Sequence, residues 1–204
     1  PGYGSSTGID SLADFLDLTL YYLDFIKAVD MDRPVVVGHS LGANIAAEMA
    51  AISPSSVGKL VLIAPTGLWD PENPVADIFA MTPSERRKAS WYDEEDAGRK
   101  GYLKLPKTDR QKRLAEIEMA RSLSTAAKFL FPIPDKGLKK RIHRVQSPTL
   151  LLWGTDDRIV PATYGKLFRK MVPKSKLVTI GKSGHHPLIE QSVKSMDAIL
   201  RFLG

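Results

Sequence analysis

The stretch of sequence that decides the fold is Val35-Val36-Val37-Gly38-His39-Ser40-Leu41-Gly42-Ala43. Its β-branched beginning, after Pro34, is typical of a strand buried on both faces, and the small residues from Leu41 to Ala51 predict a helix lying close to a sheet. The pattern G-x-S-x-G stands between them, where the chain must reverse from strand to helix. So tight a turn leaves the serine strained with its hydroxyl exposed, and we expect side chains at positions 38 and 42 to collide across it.

Ser40 is therefore the candidate nucleophile. The helix behind it directs its N-terminus at the reacting centre, and the N–H of Leu41 is placed to bind an oxyanion. The alternative is a chance match. The bare five-residue pattern is expected to occur by chance about 0.1 times in a chain of this size, which is rare but not negligible. The flanking strand and helix favour the catalytic interpretation, since the motif acts only in that structural context.

Strand-like and helical segments alternate along the rest of the chain. Strands are predicted at Lys59 to Ala64, Pro148 to Trp153 and Lys176 to Ile180, and helices at 10–29, 109–130 and 188–203. Asp10 or Ser11 is the expected cap of the first helix. This alternation predicts an α/β fold, with a partial parallel sheet flanked by helices.

Residues 66–147 differ in texture, because prolines are frequent and charges are dense. We predict that this segment is an inserted helical lid and that residues 1–65 and 148–204 form the core. Its apolar side chains have two open interpretations, contact with substrate or a core of the lid itself. They are Leu68, Trp69, Ile78, Phe79, Met81 and Trp91.

A nucleophilic serine needs a base, and the base needs an acid that fixes its tautomer. The carboxyl ends of parallel strands meet at one edge of a sheet, so both partners are expected just after later strands. The strand ending at Trp153 is followed by Asp156 and Asp157, and the last strand is followed by His185 and His186. Periodicity does not decide within either adjacent pair.

Three motifs resemble those of the α/β-hydrolase superfamily. Trp153-Gly154-Thr155-Asp156-Asp157-Arg158-Ile159-Val160-Pro161 is similar to its acid loop, Gly184-His185-x-Pro187-x-x-Glu190 to its histidine loop, and Pro1-Gly2-Tyr3-Gly4-Ser5-Ser6 to the loop after its fourth strand. The resemblance implies that Asp157 is the acid and His185 the base. It implies packing or polar support, not base catalysis, for His39.

The same resemblance implies three or four strands before the Pro-Gly loop, with a second oxyanion donor after the third. No His-Gly segment precedes Ser40 in this sequence. We therefore expect four parallel strands, an elbow strand without its usual neighbour, and a long apolar edge. The chain is then a fragment, a truncated product, or one completed by another polypeptide. Loss of one oxyanion donor typically costs about 2.7–4 kcal/mol in the transition state.

Composition narrows the function classes. The 204 residues include no cysteine, which excludes disulfides and thiolate catalysis, and the net charge is +6. The basic cluster of Lys136, Lys139, Lys140, Arg141 and Arg144 is more typical of a solvated helix face than of a nucleic-acid site. Apolar runs are too short to span a bilayer and no leader is recognisable, so a soluble, cytoplasmic protein is the default expectation.

The resulting hypothesis is a serine hydrolase that cleaves an ester or related acyl bond of a small apolar substrate without a metal or organic cofactor. One alternative is a carbon–carbon hydrolase of diketone-like substrates, which uses the same triad and lid. The other is a non-catalytic scaffold that binds a ligand. No nucleic-acid partner is expected, and the sequence is compatible with a homo-oligomer.

Overall fold

The computed structural model describes residues 1–103, 106–133 and 136–204. In this part of the chain four parallel strands form one sheet in the order β1-β2-β3-β4. The strands are β1 (Val35–His39), β2 (Lys59–Ile63), β3 (Thr149–Gly154) and β4 (Ser175–Ile180). The prediction of four parallel strands is confirmed.

The central strands and the first strand differ in burial. Every residue of β3 is buried, and so are the last four of β2, as expected for apolar strands covered on both faces. By contrast, β1 lies at the edge, where Val35 and Val37 are 47% and 52% exposed. The expectation that this strand is buried on both faces is therefore wrong. The described residues leave one of its faces and its outer edge uncovered.

Helices pack on both faces of the sheet. They are α1 (Phe15–Ala28), α2 (Leu41–Ile52), α3 (Pro83–Ser90), α4 (Glu94–Arg99), α5 (Asp109–Leu130), α6 (Leu138–Arg141), α7 (Thr163–Met171), α8 (Pro187–Glu190) and α9 (Ser192–Leu203). Alternating residues divide the core: Leu60, Leu62 and Leu151 lie in the larger cluster with α1, α2 and α7, whereas Val61, Leu150 and Leu152 pack with α9.

The segment between β2 and β3 carries α3 to α6 and contains no strand among its described residues. The predicted helix over 109–130 is confirmed as α5. Residues 104–105 and 134–135 of the predicted lid lie outside the described part of the chain. The division into core and lid stays a prediction.

Two helix predictions need correction. The cap of the first helix is Asp14, whose carboxylate accepts hydrogen bonds from the N–H groups of Leu16 (2.8 Å) and Asp17 (3.0 Å). Asp10 and Ser11 instead belong to a 3₁₀ turn, because the chain has not yet entered the helix there. The predicted helix 188–203 is divided at Gln191 into α8 and α9.

We find no helix in the described ranges that is both long and apolar enough to traverse a lipid bilayer.

Candidate active site

The candidate nucleophile lies at a strained junction between strand and helix. Ser40 has φ 53° and ψ −116°, a conformation that costs free energy in a residue with a side chain. Two sets of backbone hydrogen bonds hold it: its N–H donates to the Ile63 carbonyl (2.9 Å), and its carbonyl accepts from Ala43 (3.1 Å) and Asn44 (3.0 Å). The sheet and helix together impose the turn that the G-x-S-x-G pattern predicts.

The two glycines of the elbow have different surroundings. A Cβ at Gly38 would collide with the carbonyl of Gly42 and lie 2.6 Å from the nitrogen of Ala43. A Cβ at Gly42 would meet no atom within 4 Å. The expected collision is therefore correct for position 38 and wrong for position 42, because Gly42 faces open space and not the turn.

Leu41 is the first residue of α2, so its N–H has no acceptor within the helix. The positive end of the helix dipole lies at the same place. These two features make the Leu41 N–H available to a developing negative charge beside Ser40.

Asp157 and His185 form a buried pair at the carboxyl ends of β3 and β4. Asp157 Oδ2 lies 2.8 Å from His185 Nδ1, and both side chains are almost fully buried. The second carboxylate oxygen, Oδ1, accepts hydrogen bonds from the N–H groups of Ile159 and Val160, each at 2.9 Å. These contacts fix the orientation of the carboxylate, and through it the orientation of the imidazole.

The neighbouring aspartate and histidine have other contacts. The Asp156 carboxylate accepts a hydrogen bond from the Thr155 hydroxyl (2.6 Å). The backbone N–H of Asp156 donates to the Ser183 carbonyl (2.9 Å). The ring of His186 lies against Trp91, with 4.8 Å between centroids. Of the two adjacent pairs, the structure brings Asp157 and His185 together.

Two further contacts hold the acid loop. The indole N–H of Trp153, which is wholly buried, donates to the carbonyl of Val160 (2.9 Å). The guanidinium of Arg158 donates to the carbonyl of Lys88 near the end of α3 (2.7 Å). The Trp of the acid motif therefore braces the loop internally, and Arg158 links it to the segment between β2 and β3.

His39 joins the elbow to the base loop. Its Nε2 lies 2.6 Å from the carbonyl oxygen of His185, so Nε2 carries the proton and donates it, and the two rings are 4.7 Å apart. Burial, followed by the nearby His185, lowers the pKa of His39 to about 4. His39 is therefore neutral near pH 7 and donates this hydrogen bond to the backbone of His185.

A third imidazole completes the group. Burial, and then the neighbouring His185 and His39, lower the pKa of His186 to about 3.

Among the residues that the structure describes, no cluster of three or more His, Asp or Glu side chains is arranged to hold a metal ion.

The structure brings Ser40 and His185 to the same edge of the sheet, linked through His39. Within residues 1–103, 106–133 and 136–204, no hydrogen bond joins the Ser40 hydroxyl to the His185 ring. Catalytic hydrogen bonds are often long in a ligand-free enzyme and shorten when substrate binds.

Sequence reasoning missed the role of one residue. In the sequence Glu190 stands out only as part of the histidine-loop motif, yet its carboxylate accepts hydrogen bonds from the N–H groups of Gly184 (2.8 Å), His186 (3.3 Å) and Tyr92 (2.7 Å). The only signal in the sequence was its place five residues after His185.

Several apolar residues of the predicted lid serve as core. Leu68 and Trp91 are buried, and Ile78 and Met81 pack against the main hydrophobic cluster. The Phe79 ring contacts Phe131, with 6.0 Å between centroids.

The basic cluster is only partly a solvated face. Lys139, Lys140 and Arg144 are exposed. Arg141 instead makes a bidentate contact with the buried carboxylate of Glu48, at 2.9 Å and 2.6 Å. The expectation of a solvated face is wrong for Arg141, because a buried carboxylate requires a paired cation.

These side chains lie at the carboxyl ends of the strands of a parallel α/β sheet, and comparison with known proteins agrees on the fold. The alpha/beta hydrolase family model matches residues 1–197, and the chain belongs to that family.

One relative in sequence and two solved structures match all or nearly all of the chain. A 2-hydroxy-6-oxononadienedioate/2-hydroxy-6-oxononatrienedioate hydrolase of Paraburkholderia phymatum is 27% identical over 221 residues, which are 100% of this chain and 74% of that protein. A meta-cleavage product hydrolase from Pseudomonas fluorescens IP01 superposes with a TM-score of 0.70 at 20% identity, over 98% of this chain and 73% of that one. A bacterial membrane phospholipase A superposes with a TM-score of 0.76 at 22% identity, over 100% and 67%.

Proposed function

We propose that this protein is a serine hydrolase that cleaves an ester or related acyl bond of a small apolar substrate, with Ser40 as nucleophile, His185 as base and Asp157 as acid. The observation that carries the proposal is the 2.8 Å contact between Asp157 and His185 Nδ1. Because Nδ1–H donates to the carboxylate, the lone pair of Nε2 is free to accept a proton.

The first half of the reaction follows from these positions. Ser40 Oγ attacks the substrate carbonyl carbon while its proton passes to His185 Nε2. The carbonyl oxygen becomes an oxyanion, which the Leu41 N–H at the start of α2 stabilises. Asp157 stabilises the imidazolium, which then gives its proton to the departing alcohol as the tetrahedral intermediate collapses to an acyl-Ser40.

Water completes the cycle. His185 removes a proton from water, the resulting hydroxide attacks the acyl carbon, and the Ser40 oxygen leaves with the proton returned by His185. Every step in this scheme uses groups of the chain, so it calls for no metal or organic cofactor.

The proposal includes the lid. Residues 66–147 would cover Ser40 and admit the substrate. Its support is the contact of α3 with both catalytic loops: the carbonyl of Lys88 accepts from Arg158, and the carbonyl of Ser90 accepts from the N–H of His185 (2.7 Å).

Cleavage of a carbon–carbon bond in a diketone-like substrate is the second candidate. It is favoured by relatives named as a meta-cleavage product hydrolase and as a hydrolase of oxo-dienedioates. The named phospholipase A is a relative in fold that favours the ester reaction.

A substrate panel separates the two candidates. We expect nitrophenyl esters of short acyl chains to be hydrolysed and vinylogous diketones to remain intact, with Ser40→Ala as the inactive control. Cleavage of the diketones alone would replace the ester proposal with the carbon–carbon one. Failure of both substrate classes would favour the non-catalytic scaffold.

A further inference from the structure

The peptide units around His185 are held from several sides. The His185 N–H donates to the Ser90 carbonyl (2.7 Å), and the His185 carbonyl accepts from His39 Nε2 (2.6 Å). The N–H groups of both neighbours, Gly184 and His186, donate to one oxygen of Glu190. Four backbone polar groups between Gly184 and His186 are therefore bound by other parts of the chain.

Glu190 connects this loop to the segment between β2 and β3. Its Oε1 accepts from Gly184 and His186, and its Oε2 accepts from the N–H of Tyr92, just after α3. Hydrogen bonds to an ionised carboxylate are roughly twice as strong as neutral ones. One side chain thus fixes the base loop and the end of α3 relative to each other.

Packing supports the same connection. A Cβ at Gly184 would lie 2.6 Å from the Ser90 carbonyl oxygen and 2.9 Å from the nitrogen of Tyr92. The backbones of the two segments therefore touch directly, and the Trp91 ring covers His186. A shift of one segment would therefore break contacts that it makes with the other.

We propose that Glu190 is a positioning residue of the site, whose carboxylate holds the base loop and residues 90–92 in one unit and so keeps the His185 imidazole in reach of Ser40. This inference rests on the proposed function, since it assigns a task to Glu190 only if His185 is the base. In the described part of the chain, Glu190 makes no hydrogen bond to Ser40 or to the His185 ring.

Glutamine is the informative substitution. It retains one oxygen acceptor, but its amide group presents N–H donors where the chain also presents an N–H donor. Glu190→Gln must therefore lose either the two amides beside His185 or the amide of Tyr92. Glu190→Asp retains charge and both oxygens on a side chain shorter by one methylene. Glu95→Gln, at an exposed position of α4, is the matched control.

The experiment measures the second-order rate of fluorophosphonate labelling of Ser40 from pH 5 to 9, together with the thermal unfolding midpoint. We expect Glu190→Gln to label about ten- to a hundredfold more slowly than wild type across the whole pH profile, because a small misplacement of the base has an effect of that size. Glu190→Asp should recover part of the rate, and Glu95→Gln should match wild type.

Each outcome decides the proposal. A lower unfolding midpoint with an unchanged labelling rate in Glu190→Gln would show a structural role only and overturn it. If Glu190→Gln does not fold, Glu190→Asp takes its place: slower labelling of the folded protein supports the proposal, and the wild-type rate contradicts it. Absence of labelling in wild type would instead overturn the proposed function on which the inference rests.

Discussion

The elbow side and the base side of this site are built differently. The loops that carry Asp157 and His185 follow the adjacent strands β3 and β4 and are bound to each other and to the end of α3. The elbow follows the edge strand β1, in which Val35 and Val37 are exposed. One turn after Ser40, the buried side-chain amide of Asn44 has no hydrogen-bond partner in the described part of the chain.

This difference shows that a strained nucleophile and its base need not be fixed by the same number or kind of contacts. The elbow is fixed by a glycine at position 38, by the helix that begins at Leu41 and by one backbone hydrogen bond from Ser40 to the adjacent strand β2. The base side depends on partners distant in the sequence, because His185 is bound by His39, Ser90 and Asp157. Substitutions in the two regions should therefore have different consequences.

The largest expected effect concerns the acid. Asp157→Asn keeps the shape of the side chain but places an amide beside His185 Nδ1, which favours the wrong tautomer. We expect kcat/KM for a nitrophenyl ester to fall by about 10³- to 10⁴-fold, which is the size of the loss when the triad aspartate of a serine protease is replaced by asparagine. Asp156→Asn, which leaves the pair intact, is the control and should stay within a few fold of wild type. Equal losses in the two variants would contradict the assignment of the acid.

The half-buried His39, which joins the two regions, should make the protein sensitive to acid. His39 has a pKa of about 4 when folded and an ordinary value of 6.5 when unfolded. Between these values the unfolded chain binds a proton that the folded chain does not, so stability is lost as pH falls from about 6.5 to about 4 and is unaffected above that window.

Urea unfolding at pH 7 and pH 4.5 measures this loss. We expect His39→Asn to reduce the difference between the two free energies of unfolding by roughly 2–3 kcal/mol. The exposed His143 is the matched site, so His143→Asn should leave the difference unchanged. The same pH dependence in wild type and in His39→Asn would show that His39 does not resist protonation in the fold.

A pair of glycine substitutions compares the regions most simply. Gly184→Ala puts a methyl group against the backbone of Ser90 and Tyr92, so we expect a loss of about 1–3 kcal/mol in the free energy of unfolding. Gly42→Ala places the same methyl group in open space, and we expect a change within about 0.5 kcal/mol. Urea denaturation of both variants gives the comparison. A larger loss of unfolding free energy in Gly42→Ala than in Gly184→Ala would contradict the expected difference between the two regions.

Local chemistry explains what could be predicted from the sequence. The elbow, the four strands and α5 follow from short-range patterns, such as β-branched runs, the small residues after Ser40 and helical periodicity. The preference for Asp157 and His185 over their neighbours came from motif register, and the contact between these two residues is what that register implies.

The features that could not be predicted depend on long-range contacts. Nothing near Gly42 in the sequence shows that its Cα faces open space. The hydrogen bond from His39 to His185 spans 146 positions, and that from Tyr92 to Glu190 spans 98. Likewise, the cap at Asp14 was missed because several acidic and hydroxyl residues near it were equally suitable by type.

The most direct test of the account is the site of covalent labelling. Wild-type protein and Ser40→Ala are treated with a fluorophosphonate at pH 8, and the modified peptide is identified by mass spectrometry. The account predicts one adduct per chain, on Ser40, absent from Ser40→Ala and strongly slowed in Asp157→Asn. An adduct on another serine, or labelling of Ser40→Ala at the wild-type rate, would contradict the assignment of Ser40 as the nucleophile.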